Sequence, residues 1–412
     1  MEEKLILNKL APEAANENNP KWNNIISREK ELYSTKLDLR SEFERDYTRI
    51  IYSNAYKRLK RKTQVFFSPT NDHICTRIEH VNNVDSISYI LAKALGLNTE
   101  LTRTIAVAHD LGHSPFGHAG ERVLNEILLN DVGKTFWHEK NGLNYVDNIE
   151  LLENREGYKE NLNLTYAVRD GIISHCGEID ENSLKPRQEA IDLNTYTKPN
   201  EYAPYTWEAC VIKISDKISY LGRDIEDAIR FNILTKNDVQ ELNKSLNFNN
   251  DGYNTLNNTN IINYLNGDLI KNSSLEKGLT FSDEGLKIIN TMKKFNYDKI
   301  YKSEKVLKGN EYFKLIIYTI YDILKSAYND KIEKIKESTQ AKMYPELINE
   351  FTTWLQNYCV PQNCITKPES KLKNNKIYDI NNKEEYYIAI VEYISGMTDN
   401  KAIDTYNKII SF

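Results

Sequence analysis

Four side chains with metal-ligating chemistry stand in three short segments: His80 in RIEH, His109 and Asp110 in AHDLGHSPFGHAGE, and Asp216 in ISDKISY. Two imidazoles and two carboxylates make a mixed nitrogen and oxygen donor set, which suits Mn, Mg, Co, Fe, Ni or Zn and selects none of them. Four protein donors leave positions open on an octahedral ion, where water and a phosphate oxygen can enter, so the set fits a catalytic centre better than a structural one. A lone His-Asp dipeptide is more often an ordinary polar pair at a helix end. Here TIAVA precedes it and Pro115-Phe116 follows, and ionisable groups among apolar neighbours need a partner or a metal.

A second group begins three residues after Asp110: His113, His118 and Glu121. If the chain turns at Ser114-Pro115 and a helix starts near Phe116, His118 and Glu121 stand at i and i+3 and can hydrogen-bond. A carboxylate on one imidazole nitrogen fixes the tautomer and raises the basicity of the other, which is the form of a proton-transfer pair.

The elements that must position these groups read as helices. Val81, Val84, Ile87, Ile90, Leu91, Ala94 and Leu95 follow helical spacing, as do Ile214, Ile218, Leu221, Ile225 and Ile229. Asp216, Tyr220 and Asp224 recur every four residues beside the second stripe and share one helix face. Alternating strand-like runs are scarce. All seven histidines, from His73 to His175, fall in the first half, so chemistry concentrates there. From about 232 to 274 the chain is rich in Asn and suits an irregular insertion. Beyond it, EYFKLIIYTIYDILKSAY and FTTWLQNYC read as helices, and NNKEEYYIAIVEYISGMTDNKAIDTY as a last helical pair turning near Gly396. The expected organisation is an N-terminal arm over 1–50, a core over 51–231 and a helical C-terminal region over 232–412.

The net charge of -5 provides no global attraction to nucleic acid or anionic lipid. The one dense basic stretch, KRLKRK over 57–62, reads as a solvated helix face, or alternatively as a phosphate-binding patch. The odd set Cys75, Cys176, Cys210, Cys359 and Cys364 argues for reduced thiols rather than a disulfide framework. MEEKLILNKL opens with acidic residues and does not read as a secretory signal, and no apolar run is long enough to span a bilayer, so the expected location is the cytoplasm.

Four blocks resemble the HD-domain deoxynucleoside triphosphate triphosphohydrolases, the family of the bacterial dGTPases and of the mammalian dNTPase that carries a SAM domain. They are SEFERDYTRIIYSNAYKRLKRKTQVF (41–66), TRIEHVNNV (76–84), AHDLGHSPFGHAGE (108–121) and ISDKISYLGRDIEDAI (214–229); YISGMTD (393–399) resembles the C-terminal signature of the bacterial group. The resemblance implies an all-α fold, an HD-type helical core with an appended helical C-terminal region. It implies one divalent ion on His80, His109, Asp110 and Asp216, and acid or base catalysis by His118 with Glu121. It also implies that Gln64, Val65, Tyr220 and Asp224 face the deoxyribose and that Arg77, His113, His138 and Lys217 contact the triphosphate. The implied partners are a dNTP substrate, a dNTP effector or single-stranded DNA, and further copies of the chain in a hexamer or tetramer. Two positions depart from the bacterial pattern: Val81-Asn82-Asn83 replaces a Ser-Leu pair, and Arg223 precedes Asp224-Ile225-Glu226-Asp227, so base preference does not carry over. Two other readings compete with the triphosphohydrolase: an HD phosphohydrolase acting on other nucleotides, and a nucleic-acid-binding or allosteric module using 57–62.

Overall fold

Helix boundaries follow local chemistry. Thr76 and Glu79 form a capping box at the start of helix Arg77–Leu95, which ends on Gly96 in the left-handed region at φ 82. Asn98 accepts from the Glu100 and Leu101 amides to open helix Thr99–Ala108, and Thr206 accepts from the Ala209 amide to open helix Trp207–Arg230. Each such cap stabilises its helix by about 1 kcal/mol. The computed structural model describes residues 7–33, 38–67, 73–175, 182–246, 257–363 and 371–411. Cys176, Cys364 and residues 247–256 of the expected Asn-rich insertion lie outside these. The fold is all-α, with one short antiparallel strand pair among the described residues, Leu151–Glu153 with Lys159–Asn161. Among the described residues no helix is long and apolar enough to cross a membrane.

The chain forms two units, each assembled from three separated segments. Met1–Tyr47, His73–His109 and Thr165–Gly309 make the first; Thr48–Asp72, Asp110–Leu164 and Asn310–Phe412 make the second.

In the first unit, helices Arg77–Leu95, Thr99–Ala108, Tyr166–Ser174 and Trp207–Arg230 pack on one another. Val81, Val84, Leu91, Leu95, Ile105, Ile214, Ile218 and Leu221 are buried in that core, whereas Ile90 and Ile229, expected on the same apolar stripes, are exposed. Buried carboxylates tie segments distant in sequence. Glu208 Oε1 accepts from the Ala15 and Asn98 amides, both at 2.9 Å, which joins the starts of helices Thr99–Ala108 and Trp207–Arg230. Asp46 takes the Arg28 guanidinium at 2.5 Å and the Thr165 amide at 2.8 Å, anchoring the start of helix Tyr166–Ser174.

In the second unit, helix Lys383–Ser395 packs on helix Gly117–Val132, burying Ile390, Val391, Ile394, Leu124 and Ile127. Helices Lys383–Ser395 and Asp399–Ile410 meet at Gly396, where the sequence places a turn. Burial pushes the Glu392 carboxyl up to about 7, while the Tyr378 hydroxyl and the Asn144 side chain donate hydrogen bonds that oppose the shift. The folded chain therefore holds this proton at pH values where the unfolded chain has released it. The stabilisation is complete below pH 4.5 and is lost as pH rises toward about 7, at most about 3 kcal/mol in all. Glu392→Gln is expected to flatten the pH dependence of unfolding in this window and to raise stability at pH 8. Urea unfolding at pH 5 and pH 8 tests this; an unchanged difference between the two would contradict it.

Candidate functional site

The first unit brings together His80, His109 and Asp216, with His175 beside them. His80 lies one turn into helix Arg77–Leu95, His109 caps the end of Thr99–Ala108, and Asp216 sits midway along Trp207–Arg230. His80 Nε2 lies 2.9 Å and His109 Nε2 4.0 Å from Asp216 Oδ1. The inner nitrogens are committed: His109 Nδ1 donates to the Ala106 carbonyl at 2.7 Å, and His175 Nδ1 to the Ile172 carbonyl at 2.7 Å. Ser219 Oγ donates to the Asp216 carbonyl at 2.7 Å, so at its 3.2 Å contact with His80 Nδ1 it accepts. These bonds fix the tautomers and leave Nε2 as the basic nitrogen of each ring.

A ring nitrogen and a carboxylate oxygen 2.9 Å apart need a proton or a metal ion between them. Two imidazole nitrogens within 4.0 Å of one carboxylate oxygen form a donor set that suits a divalent ion. His109, His175 and Asp216 each offer a ligand atom within 4.8 Å of the others. His175 was assigned no role from sequence; its one signal there is an imidazole ending the apolar run AVRDGIIS.

The remaining first-unit residues lie on the same helices. Arg77, buried, opens the His80 helix. Lys217 is half-buried and borders a small apolar cleft with Leu184, Ile214, Leu279 and Phe281. Tyr220 is half-buried one turn beyond Asp216, and Asp224 is buried a turn further on, where it accepts from the Tyr301 hydroxyl at 2.5 Å. Burial pushes the Asp224 carboxyl up to about 6, against the pull of Tyr301. Tyr301 is a candidate missed from sequence, where NYDKIY lies outside the blocks that carry the family resemblance.

Asp110, bonded through the peptide to His109, is in the second unit with His113, His118, Glu121 and His138. His113 Nε2 is 3.1 Å from Asp110 Oδ1, and its ring stacks on His138 at 3.8 Å. Helix Gly117–Val132 begins one residue after Phe116, and His118 Nδ1 meets Glu121 Oε2 at 2.9 Å, the i, i+3 pair expected from spacing. Glu121 Oε1 also takes the His138 amide and Nδ1, both at 3.1 Å. Burial alone would raise the Glu121 carboxyl; His138 and His118 overcome it and hold it well below the usual carboxylate range. With its inner nitrogen pinned and 58% of its side chain exposed, His118 presents Nε2 for proton exchange.

Gly112 is required by this packing. A Cβ there would lie 2.0 Å from the His138 carbonyl oxygen and 2.1 Å from the Gly142 nitrogen, both backbone. Gly112→Ala is expected to destabilise the chain by about 3 kcal/mol and to pull His138 from Glu121. Thermal unfolding checks it; an unshifted transition would contradict the close approach.

Gln64 and Val65 are half-buried in the second unit, just after the basic run. The structure divides that run. Lys62 is buried and donates to the His113 and Ser395 carbonyls, and Arg58 pairs with Glu150 at 2.7 Å. Lys57, Lys60 and Arg61 alone are exposed, so the run is not a uniformly solvated face.

The helices that carry His80, His109 and Asp216 belong to an HD domain: the HD domain family model matches residues 77–221. Three similar proteins are each named deoxyguanosinetriphosphate triphosphohydrolase-like protein. That of Caldanaerobacter subterraneus is 32% identical, aligned over 91% of this chain and 86% of its own length. Those of Rickettsia bellii and Pelagibacter ubique are 32% and 33% identical, over 90% and 89% of this chain and 92% of their own lengths. The chain belongs to this deoxyguanosinetriphosphate triphosphohydrolase-like family, and it is a phosphohydrolase.

Proposed function

We propose that the chain hydrolyses 2′-deoxynucleoside triphosphates, dGTP among them, to the deoxynucleoside and inorganic triphosphate. The observation that carries the proposal is the His118–Glu121 pair, an exposed imidazole whose inner nitrogen is pinned by a carboxylate held ionised. Such a group suits a poor alkoxide leaving group, which needs a proton as its bond to phosphorus breaks. His80, His109, Asp110 and Asp216 would hold one divalent ion. When bound, the ion supplies Lewis-acid polarisation of a phosphoryl oxygen and acidifies water. His118 protonates the departing 5′-oxygen from Nε2, and Glu121 keeps the proton on Nδ1. Arg77, His113, His138 and Lys217 contact the triphosphate. Gln64, Val65, Tyr220 and Asp224 face the sugar, with Tyr301 holding Asp224.

The test is product analysis with each of the four dNTPs, singly and mixed, in the presence of Mn, Mg or Co. Free inorganic triphosphate supports the proposal. Orthophosphate or pyrophosphate would replace it with a different nucleotide hydrolysis, and activity confined to mixtures would identify a dNTP as effector.

A further inference from the structure

The C-terminal signature Tyr393–Asp399 has no part in the chemistry above, yet its last residue reaches the segment that carries the proton-transfer pair. Every residue concerned belongs to the second unit. Thr398, not Asp399, caps helix Asp399–Ile410, accepting from the Lys401 amide. The Asp399 side chain is therefore available for other partners, and the residue is 2% exposed. Its Oδ1 accepts from the Phe116 amide and its Oδ2 from the Thr63 amide, each at 2.8 Å. Phe116 is left-handed at φ 63 and Gly117 follows at φ 57, so the two residues before His118 make a turn that side chains disfavour. The Phe116 ring stacks on Phe313 at 4.3 Å, which holds the residue from the other side.

The same three stretches are tied elsewhere. Lys62 donates to the His113 carbonyl and, at 2.9 Å, to the Ser395 carbonyl. Asn141 donates to the Gly112 carbonyl at 2.7 Å and to Ser395 Oγ at 3.2 Å. Residues 62–65, 112–118 and 395–399 are thus cross-linked by buried hydrogen bonds, and Asp399 supplies a carboxylate to two of the amides.

We propose that Asp399 is a positioning residue for hydrolysis: by taking the Phe116 and Thr63 amides on its two oxygens, it sets the first turn of the His118–Glu121 helix against the segment that carries Gln64 and Val65. The inference rests on the roles given to those residues above. A carboxylate can accept on both oxygens, whereas an amide of the same shape turns its own N–H groups toward one of the two donors. The His118 turn then loses one restraint while the core keeps its volume.

Kinetics of the full-length, metal-loaded chain separate positioning from folding. D399N is expected to lower kcat by about tenfold to a hundredfold, the scale of a displacement of about 1 Å at a reacting group, with metal content unchanged. In an H118N background the same substitution should cost less than roughly threefold, because the group through which it acts is gone. Equal losses in both backgrounds would mean that Asp399 does not act through His118 and would overturn the proposal, as would a D399N enzyme within threefold of the unaltered kcat. If the unaltered chain releases no triphosphate from any dNTP, the substrate reading fails by itself. Amide hydrogen exchange over 62–66 and 112–118 then decides the clamp: exchange at least about tenfold faster in D399N supports it, and unchanged exchange overturns it.

Discussion

Asp216→Ala is expected to empty the metal centre and abolish turnover. Asp216 is the carboxylate of the first-unit cluster, 2.9 Å from His80 Nε2 and 4.0 Å from His109 Nε2. The imidazoles around it have their Nδ1 atoms engaged with backbone or hydroxyl groups, so they remain oriented after the substitution but carry no compensating negative charge. Removing even a supporting group around a metal ligand costs ~10–100-fold in affinity, and loss of the ligand itself exceeds that. Metal analysis after dialysis should find less than a tenth of the ion bound by the unaltered chain, with hydrolysis reduced by more than about 10³-fold. Full metal retention would remove Asp216 from the ligand set. Far-ultraviolet circular dichroism should stay unchanged, since Asp216 is 21% exposed and Ala is a good helix former.

His118→Asn tests the other half of the site, and its outcome should differ in kind. His118 is more than half exposed and meets Glu121 at 2.9 Å, so the substitution leaves the first-unit cluster intact. Metal content is expected to be unchanged while kcat for a dNTP falls by about 10²–10⁴-fold, the usual worth of a placed general acid. The deficit should depend on the leaving group. A deoxynucleoside 5′-oxygen departs as a poor alkoxide and needs the proton; 4-nitrophenolate does not. With bis-(4-nitrophenyl) phosphate the loss should shrink to roughly tenfold or less. An equal loss on both substrates would give His118 a binding role, and no loss on either would remove it from the mechanism.

The local parts of this protein were legible in its residues. Apolar spacing marked the helices that carry His80 and Asp216, and the spacing of His118 and Glu121 forecast a pair that closes at 2.9 Å. The last helical pair turns at Gly396 as its composition suggests. A helix is set by neighbours three and four residues away, so its signal lies within one stretch of chain. Donor chemistry is likewise a property of residue type, and it was enough to choose His80, His109, Asp110 and Asp216 as candidate ligands.

What depends on distant chain segments was not legible. Ile90 and Ile229 fit their apolar stripes and are nevertheless exposed, because a stripe states which face is apolar and not how far the neighbouring helix extends. His175 joins His109 and Asp216 only once helix Tyr166–Ser174 has packed, and Tyr301 reaches Asp224 from 77 residues away. Lys62 looked like part of a solvated basic face; burial converts it into a donor to two carbonyls. The Thr63 amide meets Asp399 across 336 residues. The sequence by itself determined the helices and the chemistry available on them. Tertiary structure decided which of those groups meet, because such meetings are set by packing between segments that carry no periodic record of one another.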